Sequence, residues 1–162
     1  LIPIIKGWLT ERSVALTSDA VQVHGGMGFI EETGAAQHFR DSRILPIYEG
    51  TTAIQANDLL FRKTLRDNGA GLKALFTEIE ADIKGLPAQY AKPVMQGLDT
   101  ARATLDILCG RANSPRDAAV SGVDWLMLLG YLFGGWQMAE SAHMAGGDAV
   151  GVFSPDFVVA KQ

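Results

Sequence analysis

The chain has 162 residues, 48% of them hydrophobic, with 18 acidic against 14 basic side chains and a formal charge of −4. That composition suits a globular domain with a sizeable core, and it excludes a disordered tail or a basic surface that recruits nucleic acid by its field alone. The single cysteine, Cys109, permits no internal disulfide and fits a reducing, cytoplasmic setting; between Leu108 and Gly110 it reads as a packed, unreactive thiol.

In chain order, the apolar residues from Ile4 to Val23 recur at helical spacing and predict one long helix, closed by Gly25 and Gly26 through a left-handed residue. A second helix is expected over Glu31–Arg43, with Arg40 and Arg43 near its negative end and Pro46 stopping it. Gly50 then supplies a turn, and Thr51 or Thr52 is expected to cap a helix running to about Leu65. Asp67-Asn68-Gly69 is the clearest break, and a domain boundary is placed there, giving residues 1–68 and 69–162. Three further helices are predicted, about Gly71–Lys84, Ala88–Ala112 and Pro115–Ala145, with Pro87 and Pro115 at starts. No stretch alternates like a strand, so the fold class is all-α, a helical bundle followed by a second helical domain. The chain opens on LIPIIKGWLT, inside what reads as a helix already under way, and closes on the apolar FSPDFVVAKQ. A fragment of a longer protein is expected.

Trp125 to Trp136 is about twelve residues long, short of the roughly twenty that a membrane span needs. It is read as a core helix, with Gly130 and Gly134 admitting another helix backbone, within the bundle or at a subunit interface. His24, His38, His143 and Cys109 show no metal-ligand spacing, so no metal is expected.

Two irregular points carry possible chemistry. HGGMG follows a helix instead of a strand and lacks the third glycine of a dinucleotide fingerprint, which rules out that motif. Its bare backbone amides can still bond phosphate oxygens. In IYEGTT, Glu49 stands beside Ile47 and Tyr48; apolar surroundings desolvate a carboxylate, raise its pKa and make it a proton acceptor near neutral pH. The plainer alternatives are a helix stop and a solvated loop carboxylate.

Three runs, Ala20 through Phe29, Arg40-Asp41-Ser42-Arg43-Ile44, and Ile47 through Gln55, together resemble the C-terminal helical domain of the flavin-dependent acyl-CoA dehydrogenases. The later residues resemble the extra C-terminal domain of larger bacterial members, such as the methylthiopropanoyl-CoA dehydrogenases. The resemblance implies FAD as cofactor, an acyl-CoA substrate (3-methylthiopropanoyl-CoA or a fatty acyl-CoA), α,β-dehydrogenation to the 2-enoyl-CoA, an electron-transfer flavoprotein as acceptor, and a homo-oligomer, dimer or tetramer. It implies that Glu49 is the catalytic base and that Gly50 lies against substrate. Thr51 and Thr52 contact the flavin, and Gln22, Val23, His24, Gly25 and Gly26 contact the adenosine and pyrophosphate of FAD, usually that of a neighbouring subunit. Gln55 matches the family pattern. Ala53 stands where many relatives carry glutamine, which leaves one polar contact to FAD open, and Arg62 falls off the family's arginine position. By this reading the isolated segment is inactive. The competing readings are a non-catalytic oligomerisation module and an acyl-CoA oxidase.

Overall fold

In a computed structural model that describes residues 1–112 and 114–145, the described residues are mostly helical and contain no strand. In order the elements are α1 (Ile2–Val23), α2 (Gly26–Phe29), a 3-10 turn (Glu31–Thr33), α3 (Ala35–Ser42) and α4 (Thr52–Asn57), which continues as a π-helical segment (Asp58–Leu65). They continue with α5 (Ala70–Ile83), α6 (Ala88–Gly110), α7 (Pro115–Val120) and α8 (Gly122–Met144). The closing apolar run expected from the sequence lies outside the described residues.

Three expectations about element boundaries are corrected. The helix predicted over Glu31–Arg43 is a 3-10 turn and a separate α3, because Gly34 takes φ 76°, a left-handed conformation that ends the turn before the helix starts. The helix predicted over Pro115–Ala145 breaks at Ser121 into α7 and α8, with the Ser121 amide bonding back to Ala118 and its carbonyl opening α8 by accepting from Trp125. Residues Asp58–Leu65 widen to i→i+5 bonding, continued by Gly69 N–H donating to Thr64 O at 2.8 Å. The Asp67-Asn68-Gly69 turn forms as expected: Asn68 and Gly69 have φ 55° and 74°, and the Asp67 carboxylate accepts from the amides of Gly69 and Gly71 at the start of α5, the Gly69 amide being shared with Thr64 O.

α8 organises the core. Trp125, Leu126, Leu129, Leu132, Phe133, Ala139 and Ala142 are buried on nearly every side of it, so the apolar run is an internal helix. Among the described residues no helix is long and apolar enough to cross a membrane. Its neighbours are α1, α4 and α6, and one contiguous apolar cluster joins Ile4, Ala56 and Leu60 to Phe76, Leu98, Leu105 and Trp125. Inside it the Trp125 indole N–H donates to the buried Thr64 hydroxyl at 3.1 Å, and that hydroxyl donates to Leu59 O. A polar pair is thereby satisfied where an orphaned one would cost roughly 1–3 kcal/mol.

Gly130 and Gly134 admit a side chain in place of the helix backbone expected from their spacing. The indole of Trp8 from α1 lies across both: a Cβ built at Gly130 meets Trp8 Cγ, and one at Gly134 meets Trp8 Cη2 at 2.7 Å. Tyr131 then packs edge-on against the same indole, centroids 5.6 Å apart, and accepts a hydrogen bond from Arg12. Cys109 is half-buried, and burial pushes its thiol up, in keeping with an unreactive packed residue.

Two outcomes follow. Gly130→Ala should cost about 1–3 kcal/mol in thermal denaturation, since its Cβ would fall on the Trp8 indole and force the ring to shift. Gly110→Ala, which meets nothing within 4 Å, should change stability by less than about 0.5 kcal/mol. Between α5 and α6, Arg102 donates to Glu80 at 2.5 Å and holds its carboxyl below the usual carboxylate range, with Lys84 adding to the effect. Stabilisation from a depressed carboxylate is complete above the unfolded value, about 4.3, and fades as pH falls through the folded one. Glu80→Gln should therefore melt earlier than wild type at pH 7, with the gap closing below about pH 4; thermal melts across that range check the sign.

Candidate active site

The chain leaves α3 at Ser42, whose buried hydroxyl donates to Phe39 O and shares a 2.8 Å hydrogen bond with Thr17 of α1. It then coils through tight turns: Leu45 N–H donates to Ser42 O at 3.1 Å, and Ile47 and Tyr48 N–H both donate to Ile44 O. Pro46 is buried beneath the turn. Lys6 of α1 reaches up to it. Its ammonium donates to Leu45 O at 2.6 Å and to Gly50 O at 3.0 Å, and lies 5.3 Å from the centroid of the Tyr48 ring. About one and a half helical turns further along α1, Glu11 accepts a hydrogen bond from the Thr52 hydroxyl.

Glu49 sits at the apex with φ 53°, one of two non-glycine residues with positive φ among those described. For a residue with a Cβ this conformation costs roughly 1–2 kcal/mol. The next residue, Gly50, has φ 95°, where only glycine is comfortable. The apolar burial expected around Glu49 is absent from this chain: Glu49 is exposed, and Ile47 and Tyr48 are themselves 51% and 46% exposed. Adjacency in sequence put two large apolar residues beside the carboxylate, but the turn directs them outward as well. Thr51 occupies the N-cap position in extended geometry without a side-chain cap bond, and the hydroxyl of Thr52 goes to Glu11. The capping expected of either threonine is therefore not made. Gln55 turns back and donates to Glu49 O at 3.4 Å.

HGGMG closes α1 at the other end. His24 still has helical geometry, its Nδ1 2.9 Å from Ala20 O, and Gly25 then takes φ 60°, ψ −143°. That is an extended conformation of inverted hand instead of the left-handed helical residue expected. Gln22, Val23, His24, Gly25 and Gly26 are all exposed, and nothing lies within 4 Å of where a Cβ would sit on either glycine. The space beside the two glycines is open, while the amides of His24 and Gly25 already donate to Ala20 O and Gln22 O. Gly28, in contrast, is buried, and a Cβ there would strike Val21 O and approach His24 Cβ to 2.8 Å, so it is needed for the tight return onto α1. Arg40 donates twice to Glu31, at 2.7 and 2.8 Å, stapling the following turn and holding the Glu31 carboxyl below its usual range.

The structure keeps the two motifs apart. From Glu11, beneath the Glu49 turn, to His24 the rise along α1 is roughly 20 Å. The motifs are two separate surfaces on this chain. Among the described residues, a groove of about 480 Å³ lies between α1 and α8, lined by Ile4, Ile5, Trp8, Phe133 and Trp136 among others. It offers no acid or base. The residues missed by sequence reasoning are Lys6 and Glu11; the one available signal was a lysine, the first charged residue of the chain, within an otherwise apolar helical start. Gly25→Ala should destabilise the protein by about 1–3 kcal/mol through backbone strain alone, and Gly26→Ala, at an ordinary φ in open space, by much less; paired thermal melts separate them.

Comparison with known proteins covers both halves. Residues 1–63 match the family described as acyl-CoA dehydrogenase, C-terminal domain, and residues 75–161 the family described as acetyl-CoA dehydrogenase C-terminal like. The chain is 48% identical to 3-methylmercaptopropionyl-CoA dehydrogenase of Ruegeria pomeroyi, over 99% of this chain and 29% of that protein. It is 31% identical to a broad-specificity linear acyl-CoA dehydrogenase of Mycobacterium tuberculosis, over 90% of this chain and 26% of that one. Against the mitochondrial short-chain specific acyl-CoA dehydrogenase of Bos taurus it is 50% identical over 28% of this chain and 11% of that one. The chain thus spans less than a third of the length of these relatives.

Proposed function

Because the chain belongs to the acyl-CoA dehydrogenase family, we propose that it supplies the base-bearing turn and part of the cofactor surface of a longer FAD-dependent acyl-CoA dehydrogenase. In this reading Glu49 takes the α-proton of an acyl-CoA thioester. FAD, when bound, supplies the acceptor for the β-hydride. Together the two losses leave a 2-enoyl-CoA. The α-proton is weakly acidic, so the thioester oxygen must be polarised as it departs; the backbone N–H of Glu49 is the group read as contributing, with Gly50 lying against the substrate.

The observation that supports this best is Glu49 itself: an exposed carboxylate fixed at positive φ, on a turn that a neighbouring helix holds from below. Burial, which would raise its proton affinity toward neutral pH, must come from the thioester, the flavin and the rest of the enzyme. Thr51, exposed beside it, is the better flavin contact of the two threonines, since the Thr52 hydroxyl is already donated to Glu11. Gln22 through Gly26 are read as the surface for the adenosine and pyrophosphate of FAD. Their distance from Glu49 along α1 suits contact with the cofactor of a neighbouring subunit in a homodimer or homotetramer.

The relative with which the chain shares 48% identity is named for 3-methylmercaptopropionyl-CoA, and that thioester is the first substrate to try, ahead of linear fatty acyl-CoA. Electron-transfer flavoprotein is the proposed acceptor and the cytoplasm the proposed location. In the full-length dehydrogenase Glu49→Gln should leave FAD content unchanged and lower kcat by about 10²–10⁴-fold. Turnover at the wild-type rate would remove Glu49 from the role.

A further inference from the structure

We infer that Lys6 is a positioning residue for Glu49, and that Lys6 and Glu11 together form a clamp setting the height and direction of the turn that carries it; the inference rests on the reading of Glu49 as the base. The two carbonyls Lys6 holds, Leu45 and Gly50, lie on either side of Glu49 in the chain. One ammonium thus closes the turn across its mouth. Its remaining face is covered by the Tyr48 ring, a cation–π contact that takes the lysine partly out of water. The turn's backbone bonds reach only as far as Tyr48 N–H, so beyond that point the path of Glu49 and Gly50 depends on the long 3.4 Å bond from Gln55 to Glu49 O and on what grips Gly50 O and Thr52. Lys6 grips the first and Glu11 the second.

The clamp also accounts for the left-handed conformation of Glu49. An L-residue at φ 53° relaxes unless its surroundings fix both ends of the segment. Here both ends are tied to one rigid helix, five residues apart. A base must meet its proton within hydrogen-bond reach, and a misplacement of about 1 Å can cost about a hundredfold in rate. Lys6 and Glu11 touch neither substrate nor cofactor in this scheme; Lys6 acts through two backbone carbonyls and Glu11 through the Thr52 hydroxyl.

The test uses the full-length enzyme loaded with FAD, with Lys6→Met, Lys6→Arg and Glu49→Gln measured in parallel. Lys6→Met should lower kcat about tenfold to a hundredfold, with KM for acyl-CoA and FAD content within about twofold. Lys6→Arg, which restores donors to both carbonyls, should recover most of the loss. A second readout needs no turnover: amide hydrogen exchange at Ile47–Thr51 should quicken in Lys6→Met while α8 keeps its protection. Unchanged kcat and exchange in Lys6→Met would overturn the clamp. So would a loss of activity with lost FAD and uniformly faster exchange, which would make Lys6 a residue of the fold alone. If Glu49→Gln retains turnover, the base assignment fails instead; if Glu49→Gln is inactive and Lys6→Met is normal, only the clamp fails.

Discussion

The indole of Trp8 lying in the notch formed by Gly130 and Gly134 is the contact on which the rest of the arrangement depends. Without Cβ atoms at those two positions α8 lets a large ring pass close to its axis, and α1 settles against the most buried helix of the chain. The fit is close: the ring is flanked by Tyr131, and Gly7 of α1 brings Leu126 into similarly close approach. Interiors packed to this density transmit position faithfully. Whatever α1 carries is therefore fixed relative to the whole bundle.

What α1 carries is considerable. Its first half holds the Glu49 turn through Lys6 and Glu11, its middle meets α3 through Thr17 and Ser42, and its end opens into HGGMG. One straight helix of 22 residues thereby acts as a ruler between a strained acidic apex and a bare-backbone turn. The opposite side of α1 exposes Ile2, Ile5, Leu9 and Leu16, each about half or more open to solvent. A helix apolar on two sides is one built to be covered on both, which accords with a chain matching less than a third of the length of its relatives.

Much of the helical layout was legible because apolar spacing and proline positions act locally. α1 and α6 follow directly from their periodicity, and the Asp67-Asn68-Gly69 turn from its residue types. The breaks at Gly34 and Ser121 were hidden, since neither carries proline and the flanking residues tolerate helix. The π-helical widening was equally hidden, as it is held by Thr64 bonding Leu59 and Trp125, contacts that only the folded core creates. For the candidate site, the family motifs named the positions, while the geometry came from pairs some forty residues apart: Lys6 with Leu45 and Gly50, Glu11 with Thr52. The exposure of Glu49 was misjudged for the same reason, because neighbours in sequence say little about which way a turn faces.

With Glu49 as the proposed base, its positive φ sets folding and chemistry against each other at a single codon. A glycine there would relax the backbone, so any search for hardier variants that scores survival of heat alone would drift toward discarding the acid. Retaining an acidic side chain at this apex has to be selected by what the enzyme does, and a thermostabilising programme on this protein would need an activity screen to keep it.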